Sequence, residues 1–126
     1  MEPQGAILVV VIPAHAPGVN HQYQHTSDGR HFLTKDAQNW LNLATGLTIQ
    51  CRINYKWCDP GGEFEAHIWH NDTRKDVDGP AKIIIDAVFK AIGVNDHRLR
   101  KLTIERFTAD SPTVRIEIRQ TLETTR

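Results

Sequence analysis

The chain has 126 residues, 15 basic and 15 acidic side chains, a formal charge of zero and an isoelectric point near 7.1. That length gives one domain, residues 1–126, with a modest core, and 40% apolar with 24% charged content excludes a disordered polar chain. The strongly basic balance of many nucleic-acid binders is absent: residues 1–70 carry 4 Lys and Arg against 6 Asp and Glu, and residues 71–126 carry 11 against 9.

Taken in chain order, the run "AILVVVI" at residues 6–12, ended by Pro13, predicts a first strand covered on both faces. It is too short to span a membrane and follows an acidic start, unlike a signal peptide. No membrane partner is expected. Residues 13–32 read as loop, rich in Pro, Gly, Asn and His, with a short strand or turn around "SDGRHF". Thr34 is a good N-cap for a helix over "KDAQNWLNLATGL". The end of that helix is open, because "TIQCRINY" alternates as a strand would, while Trp40, Ala44, Leu47 and Cys51 continue a helical stripe. Cys51 and Cys58 are the only cysteines. They make neither a CxxC pair nor a disulfide framework, so a reduced, cytoplasmic setting is expected.

"DPGGEF" is a turn, and Phe64, Ala66 and Ile68 alternate as a half-buried strand. A helix follows over "AKIIIDAVFKAI". Finally "RKLTIERFTA" and "TVRIEIRQ" predict two strands joined as a hairpin by "DSP". The expected fold class is α/β (α+β), with a small mixed β-sheet and two main helices.

The stretch "KDVDGPAKIIIDAVFKAIGVND" carries the chemistry. In an extended segment residues two apart point the same way, so Asp76 and Asp78 can present two carboxylates to one point, as Mg²⁺ requires. Asp78 is equally a good N-cap for the helix beginning at Gly79 and Pro80, the commoner reason for such a residue. Along the helix Ala81, Ile84, Ile85, Val88, Ala91 and Ile92 form a broad apolar face, with Ile83 and Phe89 beside it and Lys82, Asp86 and Lys90 opposite. Apolar surface over most of the circumference points to the sheet on one side and a partner subunit on the other. Asp96, in the turn "GVND", stands one helix length away, roughly 20 Å. Two such helices packed antiparallel about a two-fold axis would bring each Asp96 to the other chain's Asp76 and Asp78.

These residues resemble the RusA-type Holliday junction resolvases. That family carries DLDN-x-x-K-x-x-x-D-A at a helix start and G-x-x-x-D after it. Here the match is Asp76-Val77-Asp78-Gly79, Lys82, Asp86-Ala87 and Gly93 through Asp96. Pro17, Asn20, Tyr23 and His25 are similar to the family's P-x-x-N-x-x-Y-x-H loop, which precedes a long helix, and this extends the first helix past Gly46. The resemblance covers most of the chain in the same order, and the two motifs together are more specific than either alone. It implies a two-fold homodimer that nicks four-way DNA junctions symmetrically, in bacterial or phage recombination and repair. Asp76, Asp78 and Asp96 would hold Mg²⁺, or Mn²⁺ in its place, and Lys82 would steady phosphate charge.

The chain departs from that pattern at Gly79, where the family has Asn, and the family's arginine run ahead of the motif is reduced to Arg74 and Lys75. With zero net charge, these departures favour as a second reading a DNA-binding protein of the same fold with weak or no cleavage. In a third, the aspartates only cap helices of a structural dimer. Besides Asn20, Tyr23, His25, Arg74 and Lys75, the DNA-contact candidates are Arg98, Arg100 and Lys101, a basic patch beside Asp96. Tyr23 can stack on an unpaired base or simply anchor its loop. His21, His25 and His31 cluster in the first loop, but His67 and His70 point to opposite faces of a strand, which disfavours zinc. Trp40, Trp57 and Trp69 are assigned to core or interface. No P-loop, GxGxxG or nucleophilic triad stands out.

Overall fold

A computed structural model describes residues 7–17, 23–25 and 31–121. In chain order the elements are β1 (Ile7–Ile12), β2 (Tyr23–His25), β3 (His31–Leu33), α1 (Lys35–Asn54), β4 (Phe64–His70), α2 (Ala81–Ile92), β5 (Leu99–Arg106) and β6 (Val114–Gln120). The fold is a small α+β domain: a four-stranded mixed sheet of order β1-β6-β4-β5, two helices, and a separate β2-β3 hairpin.

Both helices cover the same face of the sheet. The period of two in β1, β4 and β6 puts Leu8, Val10, Ile12, Phe64, Ala66, Ile68, Val114, Ile116 and Ile118 inward. They meet Trp40 and Ala44 of α1 and Ile84 and Val88 of α2 in one core. Among the described residues no helix covers the other face, and Ile7 and Val11 of β1 are about half exposed. The all-apolar run suggests two covered faces; the described residues supply one helical layer.

Helix α1 begins where Thr34 Oγ accepts the Ala37 N–H at 3.1 Å and continues as one piece to Asn54. The helical stripe thus prevails over the strand-like alternation of "TIQCRINY", because Ala37, Trp40, Ala44 and Thr48 are buried at helical spacing.

The C-terminal hairpin does not form. Strand β4 is inserted between the last two strands, pairing parallel with β5 and antiparallel with β6. A turn as short as "DSP" would allow a hairpin, but β4, with one face in the core, bonds to both neighbours. The unit β4–α2–β5 is therefore a parallel crossover of the βαβ kind.

Helix α2 ends in Gly93, whose φ of 74° supplies the left-handed residue of a C-terminal cap. Its Ile83, Ile84, Ile85, Ala87, Val88, Phe89 and Ile92 are all buried within one chain. Helix α1, beside α2 on the same face of the sheet, packs against it and supplies within one chain the cover that the sequence reading assigned to a partner subunit. Only Lys82, Asp86 and Lys90 are exposed on α2. Among the described residues no helix is long and apolar enough to cross a membrane.

Candidate metal and nucleic-acid site

The loop after β4 carries the first two aspartates, and its shape is set by residues buried beneath it. His70 continues the inward period of β4 and is 1% exposed. Its Nδ1 accepts the Asp72 N–H at 3.1 Å, and its Nε2 lies 2.7 Å from the Val77 carbonyl. The neutral Nε2–H tautomer satisfies both contacts. The same ring therefore ties the strand end to the turn bearing Asp76 and Asp78.

Asp72 is 2% exposed and is the most heavily engaged carboxylate of the loop. It accepts from Arg74 N–H and Nε, both at 3.0 Å, and from Lys75 Nζ at 2.8 Å. Burial pushes its carboxyl up, but these charge-assisted hydrogen bonds outweigh burial and hold it well below the usual carboxylate range. His15 Nδ1 stands 4.0 Å from the same carboxylate. Burial lowers the His15 pKa more than the attraction of Asp72 raises it.

The expected extended geometry of residues 76–78 does not form. The Gly79 N–H donates to the Asp76 carbonyl at 2.9 Å, closing a turn, so the pleat argument for two parallel carboxylates no longer applies. Nor does the Asp78 side chain cap α2. Helix α2 starts at Ala81 with Pro80 at its cap and no side-chain cap bond; Asp78 contributes its backbone carbonyl, which accepts the Ala81 N–H at 3.1 Å. A Cβ at residue 79 would stand 3.2 Å from the Asp76 carbonyl oxygen and 3.3 Å from Lys75 Cβ. A side chain at residue 79 would need these neighbours to give by a few tenths of an ångström.

Asp76 and Asp78 are exposed, and neither carboxylate has a partner among the described residues. Lys82, in the first turn of α2, is exposed and reaches Asp86 at 3.4 Å. Asp96 opens a short 3₁₀ turn, Asp96–Arg98, beyond the far end of α2, and its carboxylate is also exposed and unpartnered among the described residues. It borders a hollow of about 320 Å³ with Asp86, Lys90 and Asn95. Among the described residues no group of three His, Cys, Asp or Glu side chains stands close enough to hold a metal within one chain.

The DNA-contact candidates separate. Arg98 makes a two-pronged pair with Asp59 at 2.7 and 2.8 Å and donates from Nε to the Gly62 carbonyl at 2.8 Å. That guanidinium, with the Gly61 N–H, lowers the Asp59 carboxyl to about 2. Arg98 is therefore a clamp between the α1–β4 loop and the start of β5. Arg100 and Lys101 are both exposed on β5, where the register with β4 shifts by one residue at Arg100. With Arg98 engaged by Asp59, these two are the exposed members of the basic patch read from the sequence.

Arg74 and Lys75 line a cleft of about 500 Å³ with His15, Pro17, Asp36, Asn39 and Trp40. Lys75 is largely buried on Asp72, whereas Arg74 is 68% exposed and keeps a guanidinium edge toward solvent. Tyr23 and His25 lie in β2, which pairs with β3. Asn20 lies outside the described residues. His67 and His70 do lie on opposite faces: His67 stacks on Trp69 over the open side of the sheet, while His70 is buried.

Asp72 and His70 were missed by motif reasoning. The signal was available: His70 keeps the inward period of Phe64, Ala66 and Ile68, and a single acid two residues later is followed by Arg74 and Lys75. The chain matches no known family model and no curated protein.

Proposed function

We propose that this protein is a Mg²⁺-dependent, structure-specific endonuclease of the RusA type that cleaves four-way DNA junctions by paired, symmetric phosphodiester hydrolysis. The observation that carries the reading is the set Asp76, Asp78, Lys82 and Asp96, in that order and spacing. All four are exposed, and the three carboxylates are free of partners among the described residues. Exposed acids held by a stiff support, without a salt bridge to neutralise them, suit hard-cation binding better than structural use.

The donor set fits Mg²⁺ only if two chains contribute. Helix α2 has 12 residues, about 18 Å at 1.5 Å per residue, and it separates Asp76 and Asp78 from Asp96. Asp96 of a second protomer would complete each centre, with two α2 helices antiparallel across a two-fold axis. Bound there, Mg²⁺ supplies a Lewis acid and an activated water for phosphodiester hydrolysis. Lys82 offers its ammonium to a phosphate oxygen, and Arg74, at the rim of the cleft, holds the backbone. Asp72 and His70 position the loop.

A second reading, junction binding with little or no cleavage, rests on the engagement of Lys75 and Arg98 with Asp72 and Asp59, which leaves fewer cations for phosphate. Synthetic four-way junctions with and without Mg²⁺ separate the readings. Paired, metal-dependent nicks are expected; junction retention without nicks favours the second reading, and neither result leaves the aspartates a structural role.

A further inference from the structure

Helix α1 carries Asp36, Asn39, Trp40 and Leu43 at the i, i+3, i+4, i+7 spacing of one helix face. With residues 14–17 after β1, and with Arg74 and Lys75 of the loop after β4, they line the cleft of about 500 Å³. Two observations set it apart from an ordinary surface groove. Trp40 is 5% exposed, yet its indole N–H has no hydrogen-bond partner among the described residues. The buried Nδ1 of His15 also lacks a hydrogen bond, so two of the four such side-chain atoms among the described residues belong to the walls of this cleft. Buried donors are normally satisfied, and one without a partner in its own chain is open to a ligand.

The second observation is the charge at the rim. Arg74 donates Nε and Nη2 to Asp72 at 3.0 and 3.3 Å, which fixes the guanidinium and leaves Nη1 for another acceptor. Lys75 is also held by Asp72, at 2.8 Å. One carboxylate against two cations leaves this cluster a net positive charge, and Arg74 is its exposed member.

We propose that the cleft binds a nucleoside monophosphate unit, free or as an unpaired nucleotide of a strand, with its phosphate on Arg74 and its base against Trp40 and Asn39. The walls select this class. A bare phosphate would leave the apolar surfaces of Ala16, Pro17 and Leu43 uncovered and the Trp40 N–H unpaired. A purely apolar ligand would strand that N–H together with Asn39 and Asp36. A base has flat apolar faces and an edge of mixed donors and acceptors: an acceptor for the Trp40 N–H, and a donor–acceptor pair for the Asn39 amide. The Asp36 carboxylate sets the direction, since it attracts an exocyclic amino group and repels the phosphate. Small-ligand sites commonly measure about 300–1,000 Å³, so the cleft has room for one such unit. Where the nucleotide belongs to a strand, the inference rests on the nuclease reading and adds a base contact to the phosphate contact of Arg74. Where it is free, it stands without that reading.

The Trp40 indole N–H signal of the full chain, followed by ¹H–¹⁵N NMR without divalent metal, tests it. The titrants are the four deoxynucleoside 5′-monophosphates, inorganic phosphate and a short single-stranded oligonucleotide. A nucleotide should move the Trp40 signal saturably and leave that of Trp57, packed on Phe64, in place. Asn39→Ala, at an exposed position, and Arg74→Gln should each weaken binding about fivefold or more. Movement by the oligonucleotide identifies a strand as the source, and movement by mononucleotides alone identifies a free nucleotide; both support the site. A Trp40 signal that no nucleotide moves, one that inorganic phosphate moves with equal affinity, or an affinity indifferent to both substitutions overturns it. Cleavage is not the readout, so failure here leaves the metal centre standing, and a chain that never nicks DNA leaves this site standing.

Discussion

Replacing Asp72 by Asn leaves the Lys75 ammonium, largely buried, and one edge of Arg74 without their counter-charge. Breaking a buried pair from one side costs about 3–5 kcal/mol, and the exposure of Arg74 brings the expected loss nearer about 2–4 kcal/mol by urea denaturation. The pH dependence has a definite sign. The folded-state pKa of Asp72 is depressed, so its contribution is complete above the ordinary aspartate value of 3.8 and is lost as pH falls below it. Asp59, lowered to about 2 mainly by its hydrogen bonds from Arg98, acts in the same direction. The wild type should therefore lose stability steeply below pH 4 and the Asp72→Asn variant less steeply, which denaturation midpoints between pH 2.5 and 6 would measure. Gly79→Asn should cost about 1 kcal/mol, because the new Cβ crowds the Asp76 carbonyl and Lys75 Cβ.

The elements themselves rest on local signals that were legible. Thr34 was readable as an N-cap, and Thr34→Ala should lower stability by about 1 kcal/mol through loss of the bond to Ala37. The inward period of β4 and the apolar density of α2 were readable too; Ile84, fully buried, should cost about 2–5 kcal/mol when cut to Ala. What covers α2 was not readable, since the helix pattern shows how much apolar surface needs burial and not which neighbour buries it. The pairing of β4 with both β5 and β6 escaped for a similar reason: strand order depends on contacts distant in sequence, and the short "DSP" turn pointed to a hairpin. At the candidate site, Asp76, Asp78 and Asp96 were legible as exposed acids, but their loop geometry was not. The turn at Gly79 and the anchoring by His70 and Asp72 come from backbone bonds and burial that spacing alone does not reveal.

At the scale of the whole molecule, helix α2 is the spacer of the account. It holds two exposed carboxylates before its first turn and a third beyond its C-terminal cap, and among the described residues no single chain brings three such groups together. A Mg²⁺ site then requires two protomers, and loss of either set of aspartates should abolish cleavage with little effect on folding, since all three side chains are exposed. The most direct test mixes an inactive Asp76→Asn/Asp78→Asn chain with an inactive Asp96→Asn chain and follows Mg²⁺-dependent nicking of a four-way junction, with the mixed oligomer verified by native mass spectrometry. One intact centre should restore nicking to about half the wild-type level per mixed dimer, about a quarter in an equimolar mixture. A mixed dimer that forms and does not cut would contradict the shared centre.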